Sequence, residues 1–122
     1  MSIQKLFKSV FSWDHAPSKK VLIGCETSGI VRDAFINRGF DTWSCDILPA
    51  DKPSNRHIQD DIRNVLKYER WDLVMVAHPP CTRLCNSGVR WLSKAPPNRT
   101  LAEMWQELED GCKLFSDLWN AD

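Results

Sequence analysis

The stretch VLIGCETSGIVRDAFINRG, Val21 to Gly39, changes its hydrophobic period halfway along. Val21–Cys25 is a short apolar run rich in β-branched residues, the composition of a strand buried on both faces. ETSG then turns the chain. From Gly29 to Arg38 the apolar residues Ile30, Val31, Ala34 and Phe35 recur at helical intervals, and Gly39 stands where a helix end takes a glycine. These residues form one strand-turn-helix unit, and the rest of the chain is read by asking whether the unit repeats.

It does, in weaker form. DTWSCDI, Asp41–Ile47, reads as a second strand, and the two prolines of LPADKPSNRH exclude regular structure over most of the next ten residues. A short strand over His57–Asp60 and a weak helix over Ile62–Tyr68 come next. WDLVMVA, Trp71–Ala77, is the clearest strand of all, and it runs into AHPPCTRLCNSG, Ala77–Gly88. After the breaker KAPPNR, Lys94–Arg99, a long amphipathic helix is predicted over Thr100–Trp119. It carries Leu101, Met104, Trp105, Leu108, Cys112, Phe115, Leu118 and Trp119 at three- and four-residue steps, and Thr100 with Glu103 has the form of a capping box. Upstream, residues 2–12 place Ile3, Leu6, Phe7, Val10 and Phe11 on one side of a short helix, and DHAPSKK, Asp14–Lys20, is a linker. The expected organisation is therefore an amphipathic helix and linker over 1–19 and one domain over 20–122. Strands that alternate with helices imply an α/β class with a mostly parallel sheet of about four strands and flanking helices.

Composition narrows the function classes. The 122 residues suit a single domain, and 16 Lys+Arg against 16 Asp+Glu leave no net charge. A duplex-binding protein usually shows a basic surplus, so nucleic-acid contact here would need a local patch. No apolar run approaches the roughly 18 residues of a membrane span. Lys5, Lys8 and the neighbouring serines interrupt what would have to be the core of a signal peptide. The expectation is a cytoplasmic protein with no membrane association. Five cysteines, an odd and irregularly spaced set, suggest reduced thiols and no disulfide framework.

Ligands of parallel α/β sheets bind outside the carboxyl ends of the strands, which groups Cys25–Gly29, Asp46, Asp60 or Asp61, and His78–Cys85 on one rim. GCETSG is neither a dinucleotide fingerprint nor a phosphate loop, because Ile30 and Val31 follow the second glycine where Lys and Ser or Thr are required. Glu26 would repel a phosphate but would suit a cationic cofactor such as S-adenosyl-L-methionine, and Asp46 could accept hydrogen bonds from ribose hydroxyls. The plainer alternative is that both are solvated loop acids. His78, Cys81 and Cys85 have a spacing that could supply three metal ligands, but no second ligand pair accompanies them, so no metal is expected. Cys25 and Cys45 read as core thiols. Cys81 itself is left with three readings: nucleophile, metal ligand or buried thiol.

The run IGCETSGIVRDAFINRGFDTWSCDILP followed by DLVMVAHPPCTRLCNSG resembles the cytosine-5 DNA methyltransferase-like proteins of phages and prophages over about residues 20–92. The resemblance implies a Rossmann-like fold that is incomplete here, S-adenosyl-L-methionine as cofactor and DNA as partner, with host cytoplasm as location. It implies Gly24, Glu26 and Gly29 in the cofactor turn, Asp46 on the ribose, Asp61 on the adenine, and Pro80 presenting Cys81 as the catalytic thiol. The thiolate would add to carbon 6 of cytosine so that carbon 5 can attack the methyl group. Arg83 and Arg90 would hold the phosphates around a flipped base. The family also uses an acid in a Glu-Asn-Val-type element after a further strand, and that element is absent from these residues. The resemblance leaves two expectations. The chain is a DNA cytosine methyltransferase or its amino-terminal part, or it is a catalytically inactive or split accessory protein acting through a partner or nucleic acid. In the latter, a second chain or self-association completes the sheet.

Overall fold

The structure is a computed structural model and describes residues 18–121. The helix expected over 2–12 and most of its linker lie outside those residues. Four strands, β1 (Lys20–Gly24), β2 (Asp41–Asp46), β3 (His57–Gln59) and β4 (Leu73–Val76), form one sheet in the order β3-β2-β1-β4, with every pair parallel. Five helical segments punctuate the described residues: α1 (Ile30–Ile36), α2 (Ile62–Tyr68), α3 (Asn86–Val89), a 3-10 turn (Arg90–Leu92), and the long α4 (Leu101–Trp119). The expected α/β class is observed, as an incomplete Rossmann-like sheet. Its order is that of the first four strands of the doubly wound fold.

Strand β1 sits between β2 and β4 and shows why its run reads as buried on both faces. Val21 and Ile23 join Phe40, Val31 and Phe35 on the α1 side, and Leu22 joins Cys45, Ile62 and Val65 on the other side, where Leu114 and Leu118 of α4 also pack. Val21, Leu22, Ile23 and Val65 are fully buried. Complete burial of such aliphatic side chains contributes roughly 1.5–3 kcal/mol each, so this one strand carries much of the core.

Element boundaries differ from the sequence reading for local reasons. Strand β1 ends at Gly24, one residue early, because Cys25 turns into the left-handed region with φ 56°. The first helix ends at Ile36 with Asn37 as its C-cap, and Gly39, at φ 90°, lies beyond the cap as a turn residue whose N–H donates to the Ile36 carbonyl at 2.9 Å. Strand β4 is shorter than Trp71–Ala77. Its ladder with β1 nevertheless runs on, through Ala77 N–H to the Gly24 carbonyl at 2.8 Å and His78 N–H to the Cys25 carbonyl at 3.1 Å. The capping box at Thr100 and Glu103 forms with both of its hydrogen bonds.

Strand β4 is an edge, and its composition does not suit one. Its register against β1 puts Leu73 and Met75 on the α1 side, yet α1 packs on β1 and β2. Met75 is consequently 42% exposed, and Val74 on the opposite face 38%. The apolar stripe of α4 is divided in the same manner: Met104 is buried and Leu114 and Leu118 face the core, whereas Trp105, Phe115 and Trp119 face outward, the last two stacked on each other at 6.0 Å. No helix among the described residues is long and apolar enough to cross a membrane.

Candidate functional site

A cavity of about 860 Å³ opens at the carboxyl end of the sheet, within the roughly 300–1,000 Å³ typical of small-molecule sites. Its floor is Cys25 and Cys45. One wall is Asp46, Ile47 and Leu48 from the end of β2, a second is Asp60–Arg63, a third is the loop after β4 through His78, Pro80, Thr82, Arg83 and Leu84, and α4 closes the fourth with Glu107, Asp110, Gly111, Lys113 and Leu114. Strand order changes direction between β1 and β4, so the cavity lies at a topological switch point, where the ends of neighbouring strands diverge and leave a crevice.

The rim residues expected from sequence divide into those that face the cavity and those that build it. Asp46 faces it. One carboxylate oxygen accepts the Leu48 N–H at 2.9 Å, and Asp46 forms no salt bridge among the described residues. Asp61 faces it too, but as the N-cap of α2. It accepts the Arg63 N–H at 2.9 Å and is gripped by the Arg63 guanidinium, with contacts from 2.6 to 3.2 Å. Arg63 in turn reaches Asp117 on α4 at 3.0 Å, and its hydrogen bonds hold the Asp61 carboxyl below the usual carboxylate range. Asp60, hydrogen-bonded by the Tyr68 hydroxyl, by Asn64 at 2.9 Å and by the Asp61 N–H at 2.6 Å, is held low in the same sense.

Glu26 is elsewhere. It is 1% exposed and not among the cavity-lining residues, because its carboxylate accepts the Val31 N–H at 2.8 Å and the Arg32 N–H at 3.2 Å, with the Ser28 hydroxyl at 3.2 Å. It caps α1 from inside the protein, answering two of the N–H groups that a helix start leaves open. Gly29, at φ 73°, is the left-handed residue that launches this helix, and Gly24 lets Ile62 of α2 press against the end of β1: an added Cβ would sit 2.0 Å from Ile62 Cδ1. These positions shape the turn under the cavity.

The Pro-Pro-Cys loop follows β4 directly. Pro80 and Thr82 line the cavity, while Cys81 between them is exposed. Its carbonyl accepts the N–H groups of Leu84 at 2.9 Å and Cys85 at 3.1 Å, closing a tight turn. Sequence reading misses α3 at this point, since a four-residue helix has no usable periodicity. Cys85 is its N-cap. A hydrogen bond with the Ser87 hydroxyl at 3.2 Å, helped by the Gly88 N–H, draws the Cys85 thiol below its usual value. Burial, with Asp46 and Asp61 nearby, instead pushes Cys25 up to about 11, and burial with Cys25 and neighbouring acids pushes Cys45 up to about 12. Thiolates react and thiols do not. Iodoacetamide mapping at about pH 8 should therefore label Cys81, Cys85 and Cys112 in the folded protein and leave Cys25 and Cys45 unlabelled until denaturant is added; early labelling of Cys25 would contradict its placement. Among the described residues no cluster of three or more His, Cys, Asp or Glu is arranged for a metal ion.

The two arginines expected at phosphates differ. Arg90 is exposed and lies over the Trp91 ring at 4.6 Å. Arg83 is 10% exposed and bound to Glu107 at 2.7 Å, and Glu107 also takes Arg99. Sequence reading has no signal for this pairing because its partners lie on separate elements. Every Lys and Arg lining the cavity is matched in the same way: Arg63 by Asp61 and Asp117, Arg83 and Arg99 by Glu107, and Lys113 by Asp117. Asp46, Asp60 and Asp110 form no salt bridge among the described residues, which leaves the cavity with an excess of negative charge. Comparison with models of known protein families, with curated proteins and with solved structures returned no match for this chain.

Proposed function

We propose that the cavity binds S-adenosyl-L-methionine and that the adjoining Cys81 loop is the nucleophile loop of a cytosine-5 DNA methyl-transfer site. The observation that carries this reading is Asp46: a rim carboxylate without an ionic partner among the described residues, at the end of β2, in a cavity at the β1/β4 switch point. A ribose diol can donate to such a carboxylate, and the unmatched acids Asp46, Asp60 and Asp110 favour a ligand with sulfonium and ammonium charges. The size of the cavity fits the cofactor, which would supply an electrophilic methyl group. The chain would contribute the Cys81 sulfur for addition to carbon 6 of a flipped cytosine, giving an enamine that takes the methyl group at carbon 5 with the cofactor's thioether as leaving group; loss of the carbon-5 proton and elimination of the Cys81 sulfur would then restore the ring. Prolines 79 and 80 restrict the backbone ahead of that sulfur.

Two features support a second reading, a split or catalytically inactive methyltransferase-like accessory protein. Arg83 is held by Glu107 and so is withdrawn from phosphate contact. The apolar edge strand β4 suits pairing with a further strand.

One set of measurements separates them. Calorimetric titration with S-adenosyl-L-methionine should show saturable binding that weakens about tenfold in Asp46→Ala, the scale of a charge-assisted hydrogen bond. Duplex DNA carrying 5-fluorocytosine should then trap a covalent adduct that Cys81→Ser abolishes and Cys85→Ser retains. No saturation at millimolar cofactor overturns the cofactor site. Binding without any adduct leaves the accessory reading, and an adduct lost only in Cys85→Ser moves the nucleophile to that thiol.

A further inference from the structure

A chain of hydrogen bonds runs from α1 to the rim carboxylate. Arg32, 6% exposed, donates from Nη1 to the Ser44 hydroxyl at 3.0 Å; Ser44 Oγ lies 2.9 Å from His57 Nδ1; His57 Nε2 lies 3.0 Å from the Leu48 carbonyl; and the Leu48 N–H donates to Asp46 at 2.9 Å. The ends determine the polarity of the middle. A guanidinium can only donate and a carbonyl can only accept, so His57 must carry its proton on Nε2, and Nδ1 is left to accept from Ser44. Gln59 adds a parallel tie, donating to the Ile47 carbonyl at 3.2 Å.

We propose that neutral His57 is a positioning residue for Asp46, acting through Leu48, and that its protonation weakens ligand binding in the cavity. The inference deepens the reading of the cavity as an S-adenosyl-L-methionine site, since Asp46 is the group whose orientation is at stake. A second proton on the imidazole turns Nδ1 into a donor. The Ser44 hydroxyl must then rotate toward the Arg56 carbonyl at 3.5 Å, the outer limit of a hydrogen bond. A full positive charge would also appear one hydroxyl away from the buried Arg32 guanidinium. Among the described residues, the charged groups on the ring's side of the sheet are Arg32 with its partner Asp33 on α1 and Asp46 on the same face of β2 as Ser44, whereas Arg56 and its partner Asp41 lie on the opposite face over Trp43. Among the described residues Asp46 forms no salt bridge, whereas Asp33 is paired with Arg32. The Nε2 bond to the Leu48 carbonyl survives protonation, so the effect comes through the ring's position: repulsion from Arg32 and the reversed Ser44 bond push the ring outward, and the Leu48 segment that holds Asp46 moves with it.

The test is cofactor affinity measured between about pH 5 and 8, where imidazoles change charge, for the intact chain and two variants. Wild type should lose about tenfold in affinity on acidification. His57→Gln, which keeps an amide donor for Leu48 but does not titrate, should bind within about threefold of wild type at the upper pH and show a flat profile. His57→Ala should bind about tenfold more weakly throughout, the scale of one lost hydrogen bond. A His57→Gln profile that follows wild type, or a His57→Ala variant that binds as wild type does, would overturn the proposal. Nitrogen NMR of the imidazole supplies an arm that needs no ligand: the Nε2–H tautomer is expected, and the Leu48 amide resonance should move with the imidazole titration. An Nδ1–H tautomer, or a Leu48 amide indifferent to it, overturns the relay even where the cofactor binds. Absence of cofactor binding at every pH with the relay intact would instead overturn the cofactor reading and, with it, the role of His57 in binding.

Discussion

Glu26→Ala is expected to destabilise the protein by about 3 kcal/mol, read as a lower urea midpoint at unchanged slope. The carboxylate is buried and accepts two backbone N–H groups at the start of α1, with the Ser28 hydroxyl beside it. Alanine removes these acceptors and leaves buried donors facing an apolar space, and a buried polar group deprived of its partner costs roughly 1–3 kcal/mol. The lost acceptors act at the same point, so their effects will not sum in full. Glu26→Gln retains one amide oxygen and should recover part of the loss. A residue that merely lined the ligand cavity would behave in the opposite manner, with binding abolished and the midpoint unmoved. An unchanged midpoint in Glu26→Ala would therefore remove this carboxylate from the interior.

The second large effect is expected at Gly88, where alanine should cost about 3 kcal/mol, at the upper end of overpacking penalties, and should loosen the Cys81–Cys85 turn. A Cβ there would lie 1.6 Å from the Thr82 carbonyl oxygen, 2.7 Å from its carbon and 3.2 Å from Arg83 Cα. All three are backbone atoms, so no side-chain rotation relieves the overlap. On its other side the loop faces Gly111 of α4, where even an added Cβ would meet Leu84 and the Pro80 carbonyl only in ordinary contact at 3.4–3.7 Å, so the relief available to the turn is a shift of the loop toward α4. Hydrogen exchange should report the displacement at the Leu84 and Cys85 amides, whose bonds to the Cys81 carbonyl close the turn. Gly24→Ala provides the contrast: its clash at 2.0 Å is with the terminal Cδ1 of Ile62, which can turn aside. A Gly88→Ala protein with wild-type stability and exchange would show that α3 does not press on this loop.

Much of the fold was legible because burial writes itself into short-range pattern. Strand β1 is packed on both faces and shows as an uninterrupted apolar run; the capping box at Thr100 and Glu103 needs only residues three apart; and Asp46 follows directly from where β2 ends. Features set by distant partners left no such trace. The split of the α4 stripe into a packed side and an exposed side depends on where the sheet stops, and α3 is too short for any periodicity.

The candidate site shows the same division. From sequence alone came the α/β class, the gathering of Asp46, Asp61 and the Pro80–Cys81 loop at one end of a parallel sheet, and the contrast between core thiols and loop thiols. Tertiary structure alone decided that Arg63 also reaches Asp117 on α4, that Arg83 is bound to Glu107 across 24 residues, and that Arg32, Ser44 and His57 lead to Asp46. The physical reason is the range of the forces involved. Hydrophobic periodicity and capping act within a turn or two of chain, whereas a charged group takes whichever partner the packed elements bring within about 3 Å, and that choice exists only once the chain has folded.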